Sequence, residues 1–307
     1  MSTVLNAAPW DPALAHRFVT GDGTALHVSD EGRPGKEPTV VLVHGWTQDH
    51  TSWDPVVDAL RANGFGSRIL RHDHRGHGGS APAPRGTATI ARIAEDLAEL
   101  IADRAPKGKL VLAGHSMGGA TIMALVGQHP ELVERLAGVA FVATTSGGLS
   151  ELTFGLPRQL ALRVYAGEAV LSRYMSRSDR AAFLRHPVAL RPVVRRLTFG
   201  KGARRAEVTA TAEQIGRCHP ASMISFLDSL LAHERAGELA RLADTPVTIY
   251  HGDRDRLIPR AHARVIANEL PHARFVQFPQ AGHILPAERA GEVAHGITRL
   301  TERPRVR

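Results

Sequence analysis

The sequence predicts an α/β protein in which a mainly parallel central sheet is flanked by helices and carries a helical cap insertion. Short apolar runs rich in β-branched residues alternate with amphipathic helical segments along most of the chain, the pattern of parallel strands joined by helices. The alternation is interrupted once, by a long segment of helical pattern. With 307 residues, 43% of them apolar, the chain can bury the core of one sizeable domain with an insertion.

The first two strands are predicted to form a hairpin. Residues 16–32 contain two strand-like runs that meet at Gly21, Asp22 and Gly23, which are typical turn residues. Six further runs have the apolar composition of strands that are buried on both faces of a sheet. These strands are predicted at residues 39–45, 67–73, 109–115, 136–145, 245–252 and 273–279.

The helices predicted between these strands show apolar residues at helical spacing. They cover residues 53–63, 87–104, 117–129 and 260–270, and a last helix begins near residue 287. The segment that breaks the alternation, residues 149–241, is predicted to be a helical cap inserted into a core of residues 1–148 and 242–307. Its apolar residues either cover a substrate pocket or form an ordinary helical core. They include Phe154, Leu156, Leu160, Leu171, Tyr174, Met175, Phe183, Leu197, Phe199, Met223, Phe226 and Leu227.

The positive charge of the chain is concentrated in this insertion. The net charge is +8, and residues 151–217 hold 13 Arg and Lys against 5 Asp and Glu, whereas the rest of the chain is balanced. Three interpretations are open: a solvated helical surface, a dock for acidic substrate groups or an anionic membrane surface, and a nucleic-acid site. No nucleic-acid motif or aromatic ladder accompanies the charge, so we expect no nucleic-acid partner.

Compartment signals favour a cytoplasmic protein. The first residues lack the basic start and apolar run of a secretory signal, and no apolar stretch approaches the roughly 20 residues that cross a bilayer. Cys218 is the only cysteine, so an internal disulfide is impossible, and we interpret this residue as a spectator thiol.

The stretch "GHSMG", residues 114–118, places one serine among glycines where a predicted strand gives way to a predicted helix. The pattern G-x-S-x-G is weak on its own, but its context matches a strand-to-helix turn that exposes a nucleophile. At such a turn, a side chain at Gly114 or Gly118 would collide with backbone, while the Ser116 hydroxyl is lifted clear. Ser116 is therefore the candidate nucleophile.

Candidates for an acid and a base follow two later predicted strands. A serine hydroxyl needs a base to take its proton and a carboxylate to orient that base. Asp253 and Asp255 stand after the strand at residues 245–252, and His283 stands after the next one. Serine, acid and histidine in this chain order fit a catalytic triad, and the residues themselves leave both aspartates open.

Together, these motifs resemble those of the α/β-hydrolase fold superfamily, over residues 17–148 and 242–300. In that family the acid usually stands three residues after the glycine of a G-x-x-D pattern that has a proline beyond it. "GDRDRLIP" matches this pattern, which selects Asp255 over Asp253.

The resemblance also implies an oxyanion hole and a structural loop. The family's H-G-x motif matches "VLVHGW", so the backbone N–H groups of Trp46 and Met117 are expected to bind the oxyanion. "DHRGHGGS", residues 73–80, is similar to the segment that braces loops near the active site in this family. His44 precedes the bend of the H-G-x loop and is interpreted as a bracing residue, because His283 already fills the role of base.

We expect neither a metal nor a cofactor. No pair of histidines shows the spacing of a metal-binding motif. The three glycines within residues 73–80 lack the pattern of a phosphate-binding loop.

A serine nucleophile with a base, an acid and an oxyanion hole predicts hydrolysis of a carboxylic ester through an acyl-enzyme intermediate. "GHSMGG" and "DHRGHGGS" are similar to the motifs of monoacylglycerol lipases and of cofactor-free haloperoxidase-like esterases, so the expected substrate is a small-molecule ester or a lipid-like ester. A lactonase, thioesterase, C–C bond hydrolase or acyltransferase would use the same site. A weakly catalytic binding protein is a further alternative. The oligomeric state is open.

Overall fold

The protein is described from a computed structural model, which covers residues 16–33, 35, 37–151, 183–184 and 186–302. Eight strands form one sheet in this part of the chain, in the order β1-β2-β4-β3-β5-β6-β7-β8. They are β1 (Arg17–Val19), β2 (Ala25–Glu31), β3 (Thr39–Val43), β4 (Ile69–His72), β5 (Leu110–His115), β6 (Leu136–Val142), β7 (Val247–Gly252) and β8 (Arg274–Phe278). β2 pairs antiparallel with β1 and β4, and all other pairs are parallel, which confirms the predicted fold class.

Ten α-helical segments accompany the sheet in the described residues. They are α1 (Asp54–Ala62), α2 (Ile90–Arg104), α3 (Met117–Gln128), α4 (Pro130–Val133), α5 (Arg191–Thr198), α6 (Arg205–Arg217), α7 (Pro220–Leu231), α8 (Arg260–Glu269), α9 (Leu285–Glu288) and α10 (Ala290–Thr301). Short 3₁₀ segments occur at His50–Trp53, Leu149–Glu151, Pro187–Leu190 and Ala236–Leu242. No helix in these ranges is both long and apolar enough to span a membrane.

The sheet is buried on both faces. Along β3, Val41 and Val43 pack into a cluster with α2, α3 and α8, whereas Val40 and Leu42 pack into a second cluster with α1 and α10. This division follows from the two-residue period of a strand, and burial on both faces explains why the strand sequence is uniformly apolar. α3 lies deepest among the helices, because its first ten residues are all buried.

Local signals set several helix ends. α2 begins at Ile90, later than the predicted residue 87, because the Thr89 side chain caps it by accepting a hydrogen bond of 3.1 Å from Arg92 N. The predicted last helix begins at Leu285 and is divided in two at Arg289, whose φ of −139° is not helical. Its sequence pattern is continuous, so amphipathicity did not reveal the break.

The described part of the insertion is helical, as its sequence predicts. α5, α6 and α7 lie between β6 and β7 along the chain. Phe226 and Leu230 of α7 belong to the same buried cluster as β5 and α3, as do Leu239 and Leu242 beyond it. The end of the insertion is thus packed into the core. Six of its predicted apolar residues lie outside the described residues: Phe154, Leu156, Leu160, Leu171, Tyr174 and Met175.

Candidate active site

Ser116 lies at the turn between β5 and α3 in a strained conformation. Its φ of 52° and ψ of −118° fall where residues with a side chain rarely occur. A Cβ atom at Gly114 would lie 2.5 Å from the Gly118 carbonyl carbon, and one at Gly118 would lie 2.2 Å from Val43 O. Only glycine fits these two positions, so the steric reason inferred from the sequence applies here.

His283 and Asp255 form a buried hydrogen-bonded pair. His283 Nδ1 lies 2.8 Å from Asp255 Oδ2, and the side chains are 6% and 0% exposed. The other oxygen, Asp255 Oδ1, accepts hydrogen bonds of 2.9 Å from the N–H groups of Leu257 and Ile258. Asp253 instead accepts a hydrogen bond of 2.6 Å from the Gln280 N–H. Asp255 therefore contacts the histidine, whereas Asp253 contacts the backbone at Gln280.

Ser116 and His283 line the same pair of cavities, of about 360 Å³ and 130 Å³. Trp46 and Leu257 complete the wall that the two cavities share. Within the described part of the chain, no hydrogen bond joins the Ser116 hydroxyl to His283. Resting enzymes often show this looser geometry, which tightens when substrate binds.

The loop at residues 45–48 lies against the serine turn. A Cβ atom at Gly45 would lie 3.2 Å from Ser116 Cβ, so the absence of a side chain allows this close approach. Among the described contacts, the backbone N–H groups of Trp46 and Met117 donate no hydrogen bond to the protein. Met117 is the first residue of α3, where a backbone N–H has no partner within the helix. Neither N–H group is therefore engaged by another group among the described contacts.

Comparison with known proteins identifies the family of this fold. Residues 38–290 match a family model described as the alpha/beta hydrolase fold. The chain belongs to the alpha/beta hydrolase fold family. The chain is also similar to the pimeloyl-[acyl-carrier protein] methyl ester esterase of Nitrosomonas europaea, with 29% identity over 260 residues, 81% of this chain and 90% of that protein.

Solved structures show the same fold. An esterase from Thermogutta terrifontis superposes with a TM-score of 0.73 at 23% identity, over 93% of this chain and 98% of that one. An enol-lactonase from Burkholderia xenovorans also gives a TM-score of 0.73, at 25% identity, over 92% and 98% of the two chains. This alpha/beta hydrolase is accordingly an esterase-type enzyme.

The insertion supplies half of the residues that line the two cavities of the hydrolase. Of the described residues expected to cover a pocket, Phe183, Leu197 and Met223 line the larger cavity and Leu227 lines the smaller one. Phe199 and Phe226 are instead buried in the hydrophobic core. For these two, the ordinary core role considered in the sequence analysis is the correct one.

Trp46 has a second contact that the sequence did not reveal. Its indole Nε1 donates a hydrogen bond of 2.9 Å to Met223 O in α7. Trp46, which lines both cavities beside Ser116, is thereby tied to the insertion. A long-range contact of a side chain with a backbone carbonyl leaves no pattern in the sequence.

His44 lies in a group of buried histidines on the side of the sheet that carries the loop at residues 73–80. Its Nε2 accepts a hydrogen bond of 2.9 Å from His74 N, so its proton is on Nδ1, which donates to Gly45 O. Burial lowers the pKa of His44 well below its usual value and keeps the ring neutral. Its position agrees with a bracing role for the H-G-x loop.

Two histidines and an aspartate form a further cluster. Among the described residues, His27, His50 and Asp73 place ligand atoms within 4.8 Å of one another, a spacing that could hold a metal ion. Asp73 Oδ1 accepts hydrogen bonds of 2.7 Å from both His50 N and His50 Nδ1, and Oδ2 accepts one from Gly79 N. Protein N–H groups engage both oxygens, so the carboxylate braces the loops.

His115 is a further residue whose role the sequence analysis missed. It directly precedes the serine, and its Nε2 donates a hydrogen bond of 2.9 Å to His283 O. Its Nδ1 lies 2.7 Å from Gln48 Oε1. Burial lowers the pKa of His115 to about 3, so the ring stays neutral. His115 thus joins the serine turn, the loop at 45–48 and the histidine loop.

Proposed function

We propose that this hydrolase cleaves carboxylic esters with Ser116 as nucleophile, His283 as general base and Asp255 as the group that orients the histidine. The observation that carries the proposal is the buried Asp255–His283 pair, whose histidine lines the same cavities as a serine held in a strained turn. A serine activated by an oriented imidazole attacks carbonyl carbon.

The reaction follows from these positions. Ser116 Oγ bonds to the ester carbonyl carbon while His283 Nε2 takes its proton. The resulting oxyanion accepts hydrogen bonds from the Trp46 and Met117 N–H groups. The C–O bond to the alcohol breaks, the imidazolium protonates the departing alcohol, and water then releases the carboxylic acid with His283 again as base.

The cavity walls favour an apolar ester. The insertion, residues 149–241, acts as a cap whose apolar side chains border both cavities, and a lipid-like acyl or alkyl group fits such walls. The similar protein of Nitrosomonas europaea is named for a methyl ester of an acyl chain, which supports an acyl ester as the substrate class. Lactone hydrolysis is a second candidate, supported by the similarity to an enol-lactonase, since a lactone is a cyclic ester.

Covalent labelling tests this proposal. A fluorophosphonate probe should label the wild-type enzyme on Ser116, and Ser116→Ala should lose labelling and lower kcat by about 10⁴-fold or more with an unchanged unfolding midpoint. Labelling of the alanine variant would rule out this nucleophile. Rates over p-nitrophenyl esters of increasing acyl length, beside lactones of matched size, then separate the two candidate substrates.

A further inference from the structure

The loop that carries His283 is bound to the insertion through its backbone. The end of α5 and the residues after it, Thr198–Lys201, run beside residues 280–283. The His283 N–H donates a hydrogen bond of 2.6 Å to Thr198 O, and the Lys201 N–H donates one of 3.0 Å to Gln280 O. The two segments are therefore joined at both ends.

Between these hydrogen bonds, the two backbones touch. A Cβ atom at Gly200 would lie 2.0 Å from Gln280 O, and one at Gly282 would lie 2.5 Å from Gly200 N. Side chains at either position would push the segments apart. By contrast, a Cβ atom at Gly202, two residues further on, would meet no atom within 4 Å.

Glu288 of α9 closes the contact between the two segments. Its carboxylate accepts a hydrogen bond of 2.8 Å from the Gly200 N–H in the insertion and one of 3.0 Å from the Gly282 N–H beside the histidine. The Glu288 side chain thus accepts a hydrogen bond from one backbone N–H of the insertion and one of the histidine loop. Removal of the carboxylate would take this hydrogen-bond partner from both donors.

We infer that Glu288 and the segment Thr198–Lys201 are positioning elements for His283, so that the insertion sets the geometry of the base as well as the shape of the pocket. This inference rests on the proposed function. Asp255 orients the imidazole ring of His283. Thr198 O accepts a hydrogen bond from the backbone N–H of the same histidine and so fixes its backbone. Displacement of a catalytic group by about 1 Å can cost on the order of 100-fold in rate.

Two variants with matched controls test the inference. Glu288→Gln places an NH₂ group against one of the two N–H donors, and Gly200→Ala forces the segments apart. The controls are Glu292→Gln, whose side chain is 58% exposed, and Gly202→Ala. We expect Glu288→Gln and Gly200→Ala to lower kcat by about 10- to 100-fold with KM within about 3-fold of wild type, and both controls to match wild type.

A spectroscopic measurement separates positioning from general damage to the fold. The downfield proton resonance of His283 Nδ1–H, assigned by its loss in His283→Ala, should shift or broaden in Glu288→Gln and Gly200→Ala at temperatures where both are fully folded. An unchanged resonance with kcat within about 2-fold of wild type in either folded variant would overturn the inference. Should one variant not fold, the other decides.

Ser116→Ala, assayed in parallel, separates this inference from the proposed function. An inactive Ser116→Ala together with wild-type behaviour of Glu288→Gln and Gly200→Ala would reject the positioning role alone. An active Ser116→Ala would reject the proposed function and, with it, the premise of the inference.

Discussion

The core and the insertion contribute to the site in different ways. The core holds the serine at a turn whose geometry is set within residues 114–118 and by the neighbouring strand. The insertion borders the cavities and contacts the histidine loop through backbone groups that are far away in sequence. The proposed nucleophile is therefore positioned by a local motif, whereas the proposed base depends on tertiary contacts.

The largest expected effect on kcat concerns Asp255, the proposed partner of His283. Asp255→Asn keeps the shape of the pair but cannot hold the imidazole in the same tautomer, so kcat should fall by about 10⁴-fold. Asp253→Asn should stay within about 3-fold of wild type, because Asp253 contacts Gln280 N and not His283. Steady-state kinetics of the two variants check this, and the reverse ranking would move the acid two residues upstream.

This contrast explains what the sequence could predict. The strands and the serine turn leave local patterns, because each depends on side chains a few residues apart. The choice of Asp255 came from a family pattern. The contacts of Glu288, Thr198 and His115 involve backbone groups over long sequence separations, and such contacts impose no residue type on the partner that supplies a carbonyl or an N–H group.

The second prediction concerns the buried histidines of the core. Burial lowers the pKa of His72 and His77 to about 4 and that of His115 to about 3, below the usual value near 6.5 in an unfolded chain. The unfolded state then binds more protons than the native state in acid. Stability is thus greatest above pH 6.5 and falls toward pH 4, by about 1.4 kcal/mol per histidine between pH 7.5 and 5.5.

Urea unfolding at pH 7.5, 6.5 and 5.5 measures this loss. His77→Gln should reduce the slope by about the share of one histidine, whereas the exposed His295→Gln should leave it unchanged. A slope equal to that of wild type in His77→Gln would show that this ring does not contribute. Acid should therefore destabilise the core that carries the serine turn.

The smallest expected effect concerns the charge of the insertion. Its excess of basic residues stands beside a core with balanced charge, and Arg204 and Arg217, whose side chains are 75% and 49% exposed, already pair with Glu207 and Asp49. Such pairs leave only part of the positive field to attract an anionic ester or a lipid surface. Raising the salt concentration should therefore lower kcat/KM for an anionic ester by only about 2- to 5-fold, while a neutral ester of equal length stays constant. Equal salt dependence for both esters would assign the basic surface a solvating role alone.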